Sequence, residues 1–377
     1  MPKGAAGSKA GEVSAPRLTI RNIRAVGVEV PMTYVLGTSA AAVRAAPLLL
    51  IDLETEEGIT GRSYLFCYLP AAAPAIAGLL GEVLRAVKGE HVAPTELWAR
   101  LYKRFTLIGV QGIVRMAMSG FDVACWDALA IAAGKPLASY LGGAPQPVPA
   151  YNSCGLGLMA PAALADEAEK LLAGGFRAVK LRLGYPTLDA DLAALRAVRR
   201  RIPHDIEIMV DFNQALTVDE ALARGRALDA EGGIYWIEEP IRHDDYAGCA
   251  VLARELATPI QIGENFSEPR AMAAALEAAA CDYVMPDLER IGGVSGWQGA
   301  AALATSQGIK MSSHLFPEVS AHLLAVTPTR HWLEYVDWAN TILVEPLCIV
   351  DGNAVAGSRP GNGLIWDEGA VARYRIL

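Results

Sequence analysis

The sequence lacks an excess of positive charge, a long apolar run and any leader-like segment. Its 33 Lys and Arg residues are outnumbered by 41 Asp and Glu, for a formal net charge of -8. This balance argues against nucleic acid as a partner, because binding to phosphates needs a basic surface. No apolar run reaches about 18 residues, the length that predicts a membrane span. The polar N-terminus has no apolar signal-peptide core, so we expect a cytoplasmic protein without a membrane partner.

The sequence also lacks paired cysteines. It contains six cysteines, and they are scattered without any C-x-x-C spacing: Cys67, Cys125, Cys154, Cys249, Cys281 and Cys348. That pattern argues against both a zinc site and a disulfide framework. Reduced, mostly buried thiols are the expected state in a cytosolic protein.

What the sequence does contain is a regular alternation of short apolar runs and helical segments from Val148 onward. The runs predict eight strands, which end in or near Ser153, Arg182, Asp211, Glu238, Glu264, Asp287, His314 and Glu334. Eight strand–helix units are typical of a (β/α)₈ TIM barrel. A doubly wound sheet is the rival fold, but no G-x-G-x-x-G follows any first strand.

The N-terminal region has a different organisation. Three strands at 18–30, 47–53 and 63–66 predict an antiparallel meander, and three helices follow at 71–88, 95–105 and 112–132. Between the first two strands, residues 33–47 predict a Gly- and Ala-rich loop that could act as a lid. We therefore expect four segments: a disordered tail at 1–16, an α+β domain at 17–145, the barrel at 146–348, and a C-terminal segment at 349–377 that returns to the first domain.

Three carboxylates follow three successive predicted barrel strands: Asp211, Glu238 and Glu264. The carboxyl ends of barrel strands gather at one mouth, so these acids should converge. A single acid after a strand is more often a solvated loop residue, but three buried together repel unless a cation lies among them. All-oxygen ligation favours Mg²⁺ over zinc. Of the adjacent pair at 238 and 239 only one can point inward, and Glu238 matches the positions of the other two acids.

Two cations precede these acids on one strand. Lys180 and Arg182 are two residues apart, so their side chains face the same side. A solvated strand face would explain them equally well. Charge balance favours the site instead. Three carboxylates, Mg²⁺ and a bound carboxylate substrate sum to minus two, and the two cations would restore neutrality in a poorly hydrated cavity.

An acid and an imidazole end the next two strands. Asp287 beside His314 would fix the tautomer of the imidazole and raise its basicity. Glu334 ends the last strand. If it is buried, its pKa should be raised and it could donate a proton to an oxyanion. The alternatives are a structural histidine and a surface salt bridge.

The order of these motifs is similar to that of a known family. The motifs K-x-R, D-x-N, WIEEP, GEN, PD, SSH and WLE, with the runs RIGGVSGW and MSSHLFPEVSAHLLAVTPTRHWLE, resemble the mandelate racemase subgroup of the enolase superfamily. The resemblance implies a modified (β/α)₈ barrel with an α+β capping domain that the C-terminal tail completes. It also implies a symmetric homo-oligomer such as an octamer.

The resemblance further implies roles for individual residues. Asp211, Glu238 and Glu264 would be the Mg²⁺ ligands, with Asp287 and His314 as a base dyad. Glu334 would be the electrophilic acid at the carboxylate of a small-molecule substrate. The implied substrate contacts are Lys180 to the carboxylate, Asn213 and Ser153 to substrate oxygens, and Tyr64 near the lid.

One residue departs from the family pattern. Racemases of the subgroup have K-x-K with the second lysine as a base, whereas this chain has Arg182, and guanidinium is a poor proton acceptor. We therefore expect Mg²⁺-dependent abstraction of the α-proton of a 2-hydroxycarboxylate to give a metal-stabilised enolate, followed by dehydration of a sugar acid with His314 as the single base. The alternatives are a racemase or epimerase of a mandelate-like acid and a metal- and carboxylate-binding barrel without turnover.

Overall fold

The computed structural model describes residues 17–39 and 42–377, so the tail predicted at 1–16 lies outside the described residues. The strands are β1 (Ile20–Gly37), β2 (Ala42–Thr55), β3 (Thr60–Phe66), β4 (Val148–Asn152), β5 (Ala178–Arg182), β6 (Glu207–Asp211), β7 (Ile234–Glu238), β8 (Ile260–Ile262), β9 (Tyr283–Val284), β10 (Lys310–Met311), β11 (Leu333–Tyr335), β12 (Cys348–Val350) and β13 (Asn353–Val355). The helices are α1 (Ala72–Val87), α2 (Pro94–Phe105), α3 (Gly112–Ala132), α4 (Leu137–Tyr140), α5 (Pro161–Leu171), α6 (Leu188–Arg201), α7 (Val218–Glu231), α8 (Tyr246–Glu255), α9 (Pro269–Glu277), α10 (Leu288–Ile291), α11 (Gly293–Gln307), α12 (Pro317–Ala325) and α13 (Glu368–Tyr374).

The N-terminal cap is a three-stranded antiparallel sheet covered by helices. The strand order is β1-β2-β3, as the sequence predicts. The central strand β2 is buried along most of its length, because it has neighbours on both sides and helices against one face. The mostly buried helix α3 packs on β3 and also on α11 of the barrel, so it joins the two parts of the fold.

The prediction of a loop at 33–47 is wrong for most of that segment. Strand β1 continues to Gly37 and β2 begins at Ala42, with Leu36 paired to Val43. The β-branched and aromatic side chains at 33–35 favour an extended chain, which the Gly and Ala content of the segment obscured. The hairpin reaches the barrel, where the Leu158 N–H donates to the Gly37 carbonyl at 3.0 Å.

The barrel consists of the eight parallel strands β4 to β11, which confirms the predicted fold class. Strands β4 to β10 are hydrogen-bonded in sequence order, and β11 pairs with β4 on its other side. The N–H groups of Met311 and Ser313 donate to the carbonyls of Thr329 and Trp332, at 2.9 and 3.0 Å. These bonds close the sheet between β10 and β11.

Three of the barrel strands end earlier than predicted. Glu264, Asp287 and His314 lie two to three residues beyond the ends of β8, β9 and β10. Backbone geometry explains the first two cases. Gly263 has a φ of 140°, a conformation that favours glycine, and Pro286 has no N–H to give to a strand ladder. The side chains therefore extend from the first residues of the loops rather than from the ladder.

The C-terminal tail contacts both parts of the fold. Strand β13 pairs with β4 of the barrel, and the following residues return to the cap, where the Ile376 N–H donates to the Gly27 carbonyl at 2.8 Å. The expectation that the whole segment 349–377 joins the cap is therefore wrong for its first residues. The domain boundaries themselves stay predictions.

All six cysteines lie in the described part of the chain and are free thiols, five of them buried and Cys348 exposed. Among the helices of residues 17–39 and 42–377, none combines the length and the apolar character needed to cross a membrane.

Candidate active site

Three carboxylates converge at the mouth of the barrel. Oxygens of Asp211, Glu238 and Glu264 all lie within 4.8 Å of one another. Asp211 and Glu238 are register partners at the ends of β6 and β7, and Arg182 on β5 is level with Asp211. In-register pairing of parallel strands therefore gathers these side chains, and the set of three hard oxygen donors fits a Mg²⁺ ion.

The electrostatics of these acids also favour a cation. Burial raises the pKa of Glu238 to about 8, against the effect of Lys180 and with that of the neighbouring acids. Such a carboxyl holds its proton unless positive charge is brought in. The donor set, its spacing and its unfavourable ionisation all suit a divalent ion.

Glu239, next to Glu238, is also buried but faces elsewhere. Its backbone has a φ of 35°, which turns the chain at the strand end. Its carboxylate accepts from Asn265 Nδ2 at 2.9 and 3.2 Å, and the same nitrogen donates to Glu264 Oε1 at 3.2 Å. Glu239 thus holds Asn265 beside Glu264 and lies outside the group of three.

Lys180 contacts two of the three acids and also Glu334. Its Nζ is 2.7 Å from Glu238 Oε1, 3.2 Å from Asp211 Oδ2 and 2.7 Å from Glu334 Oε1. Burial alone would lower the pKa of Lys180, but these carboxylates raise it well above its ordinary value. It is therefore an ammonium donor in this arrangement.

Arg182 lines the same cavity one step further along β5. Its guanidinium donates to the Gly155 carbonyl at 2.7 Å and to Ser153 Oγ at 3.3 Å. Its Nε is buried without a hydrogen-bond partner in the described residues. The group is fixed and positively charged, which suits binding of an anion rather than proton transfer.

His314 and Asp287 form the expected pair. Nδ1 of His314 lies 2.6 Å from Asp287 Oδ2, which can only accept, so Nδ1 donates. Nε2 lies 3.3 Å from Glu264 Oε2. Burial would lower the pKa of His314, but Glu264, Glu334 and Asp287 together raise it to about 10. These acids favour the protonated imidazole as long as no cation neutralises them, and Nε2 lies beside the metal-ligand candidate Glu264.

The predicted raised pKa of Glu334 is wrong. The side chain is buried as expected, and burial acts to raise its pKa. The facing Lys180 ammonium outweighs burial and, with His314, lowers that pKa to about 2. Glu334 also accepts the Leu315 N–H at 2.9 Å. It is an ionised acceptor in this structure and not a protonated donor.

Besides Lys180, one of the predicted substrate contacts lines the cavity, and this is Asn213. It donates to Asp211 through its backbone N–H and its Nδ2, and its Oδ1 is buried without a partner in the described residues. Ser153 and Tyr64 do not line the cavity. Ser153 is fully buried beneath Arg182, and the Tyr64 hydroxyl donates to Glu318 at 2.7 Å.

The cavity has a volume of about 230 Å³, which suits a small ligand. Apolar side chains form one wall, and these are Leu36, Val43, Phe66, Tyr68, Leu315 and Trp338. Sequence reasoning missed Phe66 and Tyr68. Phe66 lies two residues after Tyr64 on β3 and so shares its face, which was a signal for Phe66, whereas Tyr68 lies beyond the strand, where the chain turns.

Comparisons with known proteins agree with this fold. The family model "Mandelate racemase / muconate lactonizing enzyme, N-terminal domain" matches residues 20–142, and the family model "Enolase C-terminal domain-like" matches residues 163–370. The chain is 32% identical to a 3,6-anhydro-alpha-L-galactonate cycloisomerase of Streptomyces coelicolor, over 95% of this chain and 99% of that protein. It is 31% identical to an L-talarate/galactarate dehydratase of Salmonella typhimurium, over 86% of this chain and 81% of that one.

A solved structure extends the comparison. An enolase from Bradyrhizobium, complexed with magnesium and mandelic acid, is 40% identical with a TM-score of 0.90, over 96% of this chain and 99% of that chain. The likeness therefore includes both the cap and the barrel.

Proposed function

The chain belongs to the mandelate racemase/muconate lactonizing enzyme family of the enolase superfamily, and on that basis we propose that it abstracts the α-proton of a 2-hydroxycarboxylate. It is an enzyme of the dehydratase or isomerase type, with Mg²⁺ as its cofactor. Held by Asp211, Glu238 and Glu264, Mg²⁺ would supply a Lewis acid that withdraws negative charge from the substrate carboxylate.

The residues of the chain have separate roles around the reacting carbon. Lys180 and Arg182 bind the substrate carboxylate and oppose the charge that develops on it. Asn213 Oδ1, which has no protein partner in the described residues, accepts a hydrogen bond from a substrate hydroxyl. Nε2 of His314 takes the α-proton, while Asp287 holds the imidazole in the required tautomer. The Glu264 carboxylate, which raises the pKa of His314, is also one of those that a divalent ion would neutralise.

We propose that the reaction is dehydration. The observation that carries this choice is that, among the described residues lining the cavity, His314 is the one suited to take up a proton and return it. Lys180 is surrounded by three carboxylates, and Arg182 stays charged. A single base completes a β-elimination, because the proton taken from the α-carbon protonates the departing β-hydroxyl, and water leaves.

A screen of sugar acids and simpler 2,3-dihydroxy acids with Mg²⁺ tests this proposal. We expect formation of a 2-keto acid, measured by derivatisation of the carbonyl group. The matched variant His314→Asn should form none. An absence of keto acid from every substrate, together with α-proton exchange in deuterated water, would reject dehydration and retain enolisation.

A second outcome, racemisation of a mandelate-like acid, is favoured by one observation. The wall of Phe66, Tyr68 and Trp338 is apolar, and the Bradyrhizobium relative was crystallised with mandelic acid. Both enantiomers of mandelate should be incubated in deuterated water. Appearance of the opposite enantiomer at a rate similar to that of exchange would contradict one-base chemistry. If Arg182 is the limiting residue, Arg182→Lys should increase racemisation.

A further inference from the structure

The last strand of the cap sheet has an edge without a strand partner among the described strands, and a barrel residue contacts that edge. Strand β3 pairs with β2 alone among the described strands, so the N–H groups on its other side need another acceptor. The N–H of Phe66, its final residue, donates to Glu289 Oε2 at 3.1 Å. Both residues are buried, with Phe66 2% and Glu289 1% exposed. A barrel carboxyl therefore holds the end of a cap strand.

The held residue is part of the substrate cavity. The ring centroid of Phe66 lies 4.5 Å from that of Tyr68 and 4.8 Å from that of Trp338, and all three rings line the cavity. Immediately after β3 the chain turns, and Tyr68 has a φ of 59°, a region that non-glycine residues rarely adopt. The hydrogen bond from the Phe66 N–H to Glu289 thus fixes the wall at the point where the strand ends.

Glu289 also contacts the base dyad. Its backbone N–H donates to Asp287 Oδ1 at 2.7 Å. One residue therefore connects the orienting acid of His314 with the aromatic wall of the cap.

Packing alone does not account for a carboxyl at this position. Burying a polar group is unfavourable unless it is hydrogen-bonded, and Glu289 Oε1 has no partner in residues 17–39 and 42–377. Burial and the neighbouring Asp287 raise the pKa of Glu289 well above its ordinary value, which favours the protonated form. Glutamine mimics that form, because its amide carbonyl accepts and its NH₂ replaces the acid O–H.

We propose that Glu289 is a positioning residue that selects the substrate, by holding the Phe66–Tyr68–Trp338 wall at a fixed distance from His314. The wall favours a bulky apolar group over a small one beside the α-carbon. This inference rests on the proposed enolisation, the step that dehydration and racemisation share, since it assumes that the α-carbon lies beside His314.

The test compares Glu289→Met with Glu289→Gln. A methionine side chain is similar in length to glutamate but does not accept a hydrogen bond from the Phe66 N–H, whereas the glutamine side chain does. α-Proton exchange into deuterated water gives KM and kcat for mandelate, which has a phenyl group, and for lactate, which has a methyl group. We expect Glu289→Met to raise the KM for mandelate about tenfold or more, with little change in kcat and in the KM for lactate. Glu289→Gln should behave as the wild type does.

Calorimetric binding of both acids to the Mg²⁺-loaded proteins is measured in parallel, without turnover. If the wild type exchanges neither acid and also fails the screen of sugar acids and 2,3-dihydroxy acids, the proposed function fails, while the binding constants still decide the role of Glu289. Equal losses for mandelate and lactate in Glu289→Met would assign Glu289 a merely structural role. Unchanged mandelate binding in that variant, or a wild type without preference for mandelate over lactate, would also overturn the inference.

Discussion

The two ends of the barrel bury a histidine in opposite ways. At the mouth, His314 lies among Asp287, Glu264 and Glu334, which raise its pKa to about 10. At the floor, His331 lies just before β11, with Tyr235 Oη 2.8 Å from its Nε2 and Ser312 Oγ 3.4 Å from its Nδ1. Burial, with some repulsion from Lys310, lowers the pKa of His331 to about 3.

The difference lies in the charge of the neighbours. At the floor the groups that contact the imidazole are neutral, and Lys310 adds only positive charge nearby. The rings nearest to the imidazole are those of Tyr235, Trp236, Tyr283 and Trp332. A neutral histidine there needs only hydrogen bonds. The mouth buries several ionised groups together, which is unfavourable for stability. Such an arrangement is explained by ligand binding and chemistry rather than by folding.

Backbone strain follows the same division. Six of the described non-glycine residues with positive φ lie within five residues after a barrel strand, at the mouth: Leu156, Asn213, Gln214, Glu239, Leu315 and Phe316. Strained backbone persists where the surrounding structure enforces it, and it is frequent at functional sites. The mouth therefore combines unfavourable charge with unfavourable backbone.

The largest expected effect comes from exchanging the two histidines for amides. His314→Asn should lower α-proton exchange by about 10³-fold, because no other described residue lining the cavity is suited to take up the α-proton. His331→Asn should leave the rate close to that of the wild type. Both proteins should still bind Mg²⁺ in calorimetry. A similar loss of exchange in both variants would remove the distinction between mouth and floor.

The next largest effect separates two adjacent glutamates at the mouth. Glu238→Gln should weaken Mg²⁺ binding by about 100-fold or more, since it removes a ligand whose neighbours need the cation. Glu239→Gln should weaken it much less, because its contact is with Asn265. Calorimetric titration with Mg²⁺ measures both. Equal effects would show that Glu239 also reaches the ion.

The sequence predicted those parts of the site that depend only on the order of strands. Asp211, Glu238 and Glu264 each follow a short apolar run, and parallel pairing then brings them together whatever the details of the loops. His314 and Asp287 were predicted in the same way. The barrel and the cap meander needed only periodicity and turn signals.

The parts that were missed depend on how the cap meets the barrel. Nothing in the local sequence places Glu289 against the N–H of Phe66, because the two are far apart in the chain. The low pKa of Glu334 depends on a Lys180 nitrogen 2.7 Å away, a distance that spacing does not supply. The resemblance implies Tyr64 near the substrate, whereas Phe66 and Tyr68 line the cavity, because the local sequence does not determine how the end of β3 meets the barrel.

A smaller effect concerns the floor and acid pH. Because the folded-state pKa of His331 is about 3 and the unfolded value is near 6.5, its contribution to stability is complete above pH 6.5 and is lost as pH falls toward 3. The free energy of unfolding should fall by about 1.4 kcal/mol per pH unit from this group. His331→Gln should flatten the pH dependence by that slope in urea titrations between pH 6 and 4. An unchanged slope would mean that His331 is not buried neutral.

The smallest effect removes one hydroxyl from the floor. Tyr235→Phe deletes the bond to His331 Nε2 and keeps the ring that packs against Trp236. The free energy of unfolding should fall by about 1 kcal/mol, measured by urea titration at neutral pH, where His331 is neutral in both proteins. The KM and kcat for α-proton exchange should not change, since the deleted bond lies at the opposite end of the barrel from His314. A change in kcat with unchanged stability would show that the floor is coupled to the chemistry at the mouth.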